Sequence, residues 1–156
     1  MNKKIGFIGC GNMGEAMLKG IIDSFNNPDR IYVFEKNEDR QKELKEKYGI
    51  NISSTPAELV SSSEMILVAV KPNIFSLVME EIKPVIDDSK VIISIAAGVT
   101  IAAIEKGLGD KAKIIRTMPN TPAFVGLGMT SMSPNKNVTS EEASIAKKIL
   151  EGFGEV

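Results

Sequence analysis

Short apolar runs alternate with stretches of helical periodicity along most of the chain. This alternation is typical of βαβ units joined in a mainly parallel sheet. Runs such as MILVAV and VIISIA hardly alternate apolar with polar residues, which predicts strands covered by helices on both faces. The pattern therefore predicts a doubly wound α/β fold in one domain over residues 1–156. The strands are predicted at 3–9, 30–36, 50–53, 64–70, 90–96, 112–117 and 128–132.

Helix starts are marked by residues that cap a helix with a side-chain oxygen. Thr55 is followed by Pro56, which suits the first helical position, and by Glu58 three residues after the cap. Thr139 precedes a similar acidic first turn and a helix that runs to about Leu150. Further caps are predicted at Asn73 and Thr100.

A glycine-rich segment joins the first strand to the first helix. The segment Gly9-Cys10-Gly11-Asn12-Met13-Gly14 fits G-x-G-x-x-G, and this strand–turn–helix context makes it a dinucleotide-binding, Rossmann-type signal. Gly9 is expected to permit the tight turn, Gly11 to let a pyrophosphate approach the backbone, and Gly14 to let helix and strand pack closely. The alternative is a tight turn that binds nothing.

The end of the second predicted strand carries both signs of charge. Glu35 lies where a carboxylate would accept hydrogen bonds from the adenosine ribose, which favours NADH. Lys36, Asn37 and Arg40 could instead hold the 2′-phosphate of NADPH, and for Arg40 a solvated charged surface is the alternative. The residues leave the choice between NADH and NADPH open.

Cys10 lies inside the glycine-rich turn, which raises the possibility of redox chemistry. A helix N-terminus could lower its pKa, but the chain has no second cysteine to resolve an oxidised form. We interpret Cys10 as a small residue that fills space beside the pyrophosphate.

Three more loops are expected at the carboxyl edge of the sheet, where ligands bind in open α/β folds. The first is Ala69-Val70-Lys71-Pro72, in which the proline keeps the backbone of Lys71 out of the helical region. The second, Ala96-Ala97-Gly98, is small enough to leave room for a flat ring. The third contains Asn120-Thr121 between two prolines, a stiff polar turn suited to orienting a carboxamide.

Composition excludes several classes of function. Lys+Arg 19 and Asp+Glu 20 give a net charge of −1 without a basic block, so nucleic acid is not an expected partner. No apolar run is long enough for a bilayer span, and the N-terminus enters a strand pattern directly, so we expect no membrane association. The absence of histidine and the single cysteine predict no metal site and a reducing, cytoplasmic location. Redox chemistry would require an organic cofactor.

Taken together, the segments IGFIGCGNMGEAM, VAVKPN, SIAAGVT and RTMPNTPAFVGLGMT resemble pyrroline-5-carboxylate reductase, and the similarity runs through all 156 residues. The resemblance implies an oxidoreductase of proline biosynthesis that transfers a hydride from NADPH or NADH to the C=N bond of 1-pyrroline-5-carboxylate, giving L-proline.

The resemblance also implies roles for individual residues. Ile8 to Met13 would hold the pyrophosphate, and Glu35 to Asn37 would meet the adenosine ribose. Ala69 to Pro72 and Ala96 to Gly98 would line the nicotinamide half, where Lys71 would also touch the substrate. Pro56 stands where some relatives have an asparagine in the site, so that contact is not expected here.

Members of the family continue beyond the matching part into a helical domain that dimerises and holds the substrate. We therefore expect the catalytic groups and a homo-oligomer interface outside these 156 residues, and little or no activity from them alone. The alternatives are a non-catalytic dinucleotide-binding or regulatory module, a related imine reductase, or a β-hydroxyacid-type dehydrogenase.

Overall fold

The computed structural model describes residues 3–96, 98–119 and 128–156. Its strands are β1 (Ile5–Ile8), β2 (Ile31–Phe34), β3 (Asn51–Ile52), β4 (Met65–Val68), β5 (Val91–Ser94), β6 (Lys113–Pro119), β7 (Gly128–Pro134) and β8 (Gly154–Glu155). Its helices are α1 (Asn12–Phe25), α2 (Glu38–Tyr48), α3 (Pro56–Ser62), α4 (Pro72–Ile82), α5 (Ile101–Leu108) and α6 (Ser140–Leu150).

The described strands form one sheet in the order β3-β2-β1-β4-β5-β6-β7-β8. Neighbours from β3 to β6 run parallel, whereas β6 and β7 pair antiparallel, with Thr117 opposite Met132. The chain leaves β1 toward β2 on one side and returns at β4 on the other side. The point between β1 and β4 is therefore the topological switch, where open α/β sheets bind ligands.

Helices cover both faces of the sheet because its central strands are apolar on both faces. Every residue of β1, β4 and β5 is buried. One apolar cluster joins these strands to α1, α2 and α6, through residues such as Met17, Leu44 and Ile149. The other cluster joins them to α3, α4 and α5, through Leu59 and Ile104 among others. The predicted doubly wound, Rossmann-type α/β fold is confirmed.

Three of the four predicted helix caps are confirmed by hydrogen bonds. The hydroxyl groups of Thr55, Thr100 and Thr139 accept from the backbone N–H three residues ahead. The prediction for Asn73 is wrong, because α4 begins at Pro72 with Lys71 as its cap. Proline has no N–H to leave unpaired, so it occupies the first helical position itself.

The sheet also contains a short strand that the apolar pattern did not predict. Strand β8 pairs Gly154 with Gly128 and Glu155 with Met129 of β7. A strand of two residues is too short to show an alternation of apolar and polar positions in the sequence. No helix among the described residues is long and apolar enough to span a membrane.

Candidate functional site

A cleft of about 320 Å³ lies at the carboxyl edge of the sheet, at the switch point between β1 and β4. Three of the segments predicted from sequence meet there: the glycine-rich turn, the end of β2 and the end of β4. Its lining residues are Gly9, Cys10, Gly11, Phe34, Glu35, Lys36, Ala69, Val70, Lys71, Ile74 and Val78.

The first two positions of the motif are glycine for different structural reasons. Gly9 has a φ of +83°, and a Cβ there would lie 2.9 Å from Val70 Cγ1 and 3.0 Å from the carbonyl oxygen of Ala69. Gly11 has an ordinary φ of −75°, and a Cβ there would meet no protein atom within 4 Å. Gly9 is therefore needed by the fold itself, whereas the space before Gly11 is open to a ligand.

Gly14 is less constrained than its place in the motif predicted. A Cβ at Gly14 would lie 3.4 Å from the carbonyl oxygen of Gly9 and 3.6 Å from Ala69 Cβ. These are ordinary van der Waals distances, so the close packing of α1 on the sheet does not strictly require glycine here.

Helix α1 points its N-terminus at the cleft without a side-chain cap. Gly11 is the N-cap residue and has no side chain to accept from the first-turn N–H groups. Such a helix end offers free N–H groups and the positive end of the helix dipole to an anion.

Glu35 at the end of β2 contacts the turn directly. Its Oε2 accepts a hydrogen bond of 3.0 Å from the backbone N–H of Cys10. Its Oε1 is 3.4 Å from the N–H of Asn37. The carboxylate therefore lies beside the turn at the position expected for the adenosine ribose.

Arg40 contacts the glycine-rich turn, which the sequence did not predict. Its Nε and Nη2 donate to the carbonyl oxygen of Cys10 at 3.3 and 3.2 Å, and its Nη1 lies 3.3 Å from carboxylate oxygens of Glu15 and Glu43. The side chain is 22% exposed, so Arg40 does not lie on a solvated surface. The sequence carried no signal for this contact, because Arg40 and Cys10 are 30 residues apart.

Cys10 is buried and is suited to filling space rather than to redox chemistry. Burial raises the pKa of its thiol to about 12, against the opposing effect of the Arg40 charge. The helix N-terminus therefore does not produce a reactive thiolate, contrary to the possibility raised by its position in the turn.

The loop after β4 lines the cleft through Ala69, Val70 and Lys71, whereas Ala96 and Gly98 after β5 are not among its lining residues. Lys71 has an extended backbone, with φ −64° and ψ 148°, as its position before proline predicted. Pro72 begins α4 and faces a groove between α4 and α5 instead of the cleft. After β5, Ala96 is buried and Gly98 has a φ of +75°. Ala97, Asn120 and Thr121 lie outside the described residues.

Other predicted residues lie beside the cleft without lining it. Ile8 is fully buried in the core, Met13 packs against the α1 face of the sheet, and Asn37 caps α2. Asn12 begins α1, and its side chain lies outside the described part of the structure.

Three apolar residues of the cleft were not identified from sequence. Phe34 precedes Glu35 on β2, while Ile74 and Val78 lie one turn apart on α4. Ile74 is 41% exposed, unusual for a large apolar side chain. An i, i+4 apolar pair is the only sequence signal at these two positions, and it is shared by every core-facing helix.

Known reductases resemble this chain over nearly its whole length. The chain is 44% identical over 156 residues to the pyrroline-5-carboxylate reductase of Escherichia coli (strain K12), covering 99% of this chain and 58% of the relative. It resembles the structure of a pyrroline-5-carboxylate reductase from Coxiella burnetii with a TM-score of 0.96 and 34% identity, covering 100% of this chain and 58% of that one.

A third relative is the Plasmodium falciparum pyrroline carboxylate reductase with NADP bound, at a TM-score of 0.88 and 33% identity. That match covers 99% of this chain and 56% of the other. The chain thus spans less than two thirds of the length of these relatives. Residues 4–98, well over half of the chain, match the family model described as NADP oxidoreductase coenzyme F420-dependent, and the chain belongs to that family.

Proposed function

We propose that this chain binds NADH or NADPH and forms the cofactor-binding part of a pyrroline-5-carboxylate reductase. The observation that carries this proposal is the cleft at the switch point, with an open space before Gly11 and the uncapped start of α1 beside it. The likeness to pyrroline-5-carboxylate reductases over nearly the whole chain supports the choice of reaction.

The described residues fit a dinucleotide in two respects. The backbone of Gly11 faces empty space where a side chain would otherwise stand, and the N-terminus of α1 favours an anion. Glu35 offers a carboxylate at the ribose position, 3.0 Å from the turn. Phe34, Ile74 and Val78 give the same cleft an apolar surface that would suit the adenine ring of a dinucleotide.

When bound, the reduced dinucleotide supplies the hydride that converts 1-pyrroline-5-carboxylate to L-proline. The residues of this chain bind and orient it: Gly9 to Gly14 at the pyrophosphate, Glu35 to Asn37 at the ribose. Ala69 to Lys71 and Ala96 to Gly98, with Asn120 and Thr121, belong to the nicotinamide half, and Lys71 contacts the substrate. Orienting both reactants can contribute roughly 7–11 kcal/mol to lowering the barrier.

The other parts of the proposal concern the whole enzyme. The groups that hold the substrate carboxylate and donate the proton belong to the remaining length that the relatives have. The whole enzyme assembles into a homo-oligomer through that same portion and is located in the cytoplasm. The single, buried cysteine agrees with a reducing compartment.

The first test is dinucleotide binding by the 156-residue chain, followed by the fluorescence of NADH. The wild-type chain is expected to bind, and Gly11→Ala to weaken binding by about 30-fold, or ~2 kcal/mol, because its Cβ enters the phosphate space. Gly11→Ala should unfold at the same urea concentration within error, since that Cβ meets no protein atom. Gly107→Ala in α5, remote from the cleft, is the matched control and should bind as wild type does. Absence of any dinucleotide binding would refute the proposal.

The second test is a chimera in which this chain replaces the matching part of the Escherichia coli relative. The chimera is expected to oxidise NADH or NADPH only when 1-pyrroline-5-carboxylate is present, and the Gly11→Ala chimera to lose that activity. The isolated chain is expected to show little or no turnover. A folded chimera that binds dinucleotide but leaves the imine unreduced would favour the non-catalytic module instead.

A further inference from the structure

The backbone of Cys10 is held at both of its polar groups by the segment that follows β2. Glu35 accepts from the Cys10 N–H at 3.0 Å. Arg40 donates to the Cys10 carbonyl oxygen twice, through Nε at 3.3 Å and Nη2 at 3.2 Å. Cys10 immediately precedes Gly11, whose backbone faces the open space. These contacts therefore fix the peptide that sets the direction of the phosphate-binding backbone.

Arg40 is itself held in place from several sides. Its backbone N–H donates to Asn37 Oδ1 at 3.1 Å, so the residue is anchored in the cap of α2. Its Nη1 lies 3.3 Å from both Glu15 of α1 and Glu43 of α2, and the Arg40 and Glu15 side chains are each 22% exposed. Partial burial alone would lower the pKa of Arg40, but the charge of Glu15, followed by Cys10 and Glu43, raises it. The guanidinium thus links α1, α2 and the turn as one unit.

This arrangement has a consequence for the ribose end of the cleft. Every nitrogen of the Arg40 guanidinium is engaged by the protein, and two of its partners are carboxylates. These contacts use four of the five guanidinium N–H groups, so a 2′-phosphate could accept from Arg40 through one Nη2 N–H alone unless Arg40 left Cys10, Glu15 or Glu43. The same phosphate would also approach the negative charge of Glu35, and the other charged residues lining the cleft are the exposed Lys36 and Lys71.

We propose that Arg40 is a positioning residue that fixes the glycine-rich turn, that it does not bind a 2′-phosphate, and that Glu35 therefore makes NADH the preferred reductant. This rests on the proposed function, because it assumes that the cleft binds a dinucleotide. The two charged side chains that contact the backbone of Cys10 then have different roles. The Glu35 carboxylate selects the ribose, and the Arg40 guanidinium orients the phosphate-binding turn.

The measurement is the dissociation constant of the 156-residue chain for NADH and for NADPH, by NADH fluorescence and by calorimetry. The wild-type chain is expected to bind NADH at least about tenfold more tightly than NADPH. Arg40→Ala is expected to weaken both by the same factor, about five- to tenfold, because the turn that both share is loosened. If Arg40 were a phosphate ligand, the same variant would weaken NADPH alone.

Two further variants separate the effect of the guanidinium geometry of Arg40 from the effect of a positive charge on α2. Arg40→Lys keeps the charge but offers one compact donor instead of a fork, and is expected to recover only part of the lost affinity for both dinucleotides. Lys45→Ala removes an exposed cation from the same helix and is expected to change neither constant. Thermal unfolding of each variant, without ligand, shows that the compared chains are folded.

Glu35→Gln tests the selectivity directly, since glutamine keeps an acceptor for the Cys10 N–H but loses the negative charge. NADPH is expected to bind about tenfold more tightly than to wild type, while NADH changes by less than about threefold. Equal or tighter binding of NADPH by the wild-type chain, or a loss confined to NADPH in Arg40→Ala, would overturn the inference and leave the proposed function standing. Binding of neither dinucleotide would refute the proposed function instead.

Discussion

The two halves of the sheet differ in the charged contacts at the carboxyl edge. In the near half, formed by β1 to β4 with α1 and α2, charged side chains converge on the carboxyl edge, where Glu35 and Arg40 hold Cys10. In the far half, formed by β5 to β8 with α5 and α6, the least exposed ion pair described is Lys113–Glu142 at 2.8 Å. Lys113 is the first residue of β6, so this contact lies at the amino edge, away from the cleft.

The difference shows which part of the proposed site this chain builds by itself. A phosphate-binding turn needs its backbone N–H groups fixed before the ligand arrives. In the near half, hydrogen bonds from residues distant in sequence hold the backbone of the turn. At the carboxyl edge of the far half, the described side-chain hydrogen bonds include Thr117 Oγ1 to the carbonyl oxygen of Ser94 at 3.0 Å and the Ala96 N–H to Ser94 Oγ at 3.3 Å. Among the described residues, the charged side chains that contact the glycine-rich turn therefore all come from the near half.

The largest expected effect is the protection of the Cys10 thiol, in the near half, from alkylation. Because burial raises the pKa of its thiol from 9.0 to about 12, the reactive thiolate is about a thousandfold rarer at pH 8 than in the unfolded chain. Alkylation by iodoacetamide at pH 8 should be slower by about that factor than in urea, and should accelerate about tenfold for each pH step up to 10. The chain has one cysteine, so the rate reports this site alone. Rapid alkylation of the folded chain would show that the turn is open.

The next effect concerns the crowding around the turn. Gly9→Ala should lower the free energy of unfolding by about 2–3 kcal/mol, since it combines a φ of +83° with a Cβ 2.9 Å from Val70 Cγ1. Gly49→Ala is the control, because Gly49 also has a positive φ, +71°, but its Cβ would meet nothing within 4 Å. Only about 1 kcal/mol should be lost there. Equal losses in urea unfolding would mean that the close approach of turn and β4 contributes nothing.

The far half is tested by Glu142→Gln. Burial opposes ionisation of Glu142, but hydrogen bonds from Lys113 and Thr139 outweigh it and lower its pKa. A lowered pKa in the folded state gives stability above the ordinary glutamate pKa that is lost as pH falls through the folded value. We expect a loss of about 1 kcal/mol at pH 7 that shrinks below about pH 4, and no change in NADH affinity.

Glu141→Gln, on the same helix turn and exposed, is the control for Glu142→Gln. It should leave urea unfolding within about 0.5 kcal/mol of wild type, since exposed substitutions usually do. A comparable loss in both variants would mean that the first-turn charge matters and the contact with Lys113 does not.

The smallest expected effect is that of Lys71→Ala. Its backbone is already fixed by Pro72, its side chain is exposed, and no hydrogen bond of that side chain is found among the described residues. NADH affinity of the chain should fall by about twofold at most, with unfolding unchanged within about 0.5 kcal/mol. A loss as large as that of Gly11→Ala would mean that the Lys71 side chain contributes as much to dinucleotide binding as the glycine-rich turn does.

Features that depend on near neighbours in sequence were predictable from it. The parallel strands followed from buried apolar runs, and Thr55 and Thr139 followed from local capping patterns. The prediction for Asn73 failed because two capping patterns overlapped and proline took the first helical position. Strand β8 could not be predicted, because two residues become a strand only by pairing with β7.

The sequence by itself determined the doubly wound sheet, the turn at Gly9 to Gly14 and the residues that follow β2 and β4, since periodicity and turn chemistry are written locally. Only the tertiary structure showed what Arg40 and Cys10 contact. The Arg40 side chain donates to a carbonyl oxygen 30 positions away along the chain, and no local pattern predicts such a contact. Burial likewise decided the pKa of Cys10, because the sequence specifies a thiol but the packing around it determines whether that thiol ionises.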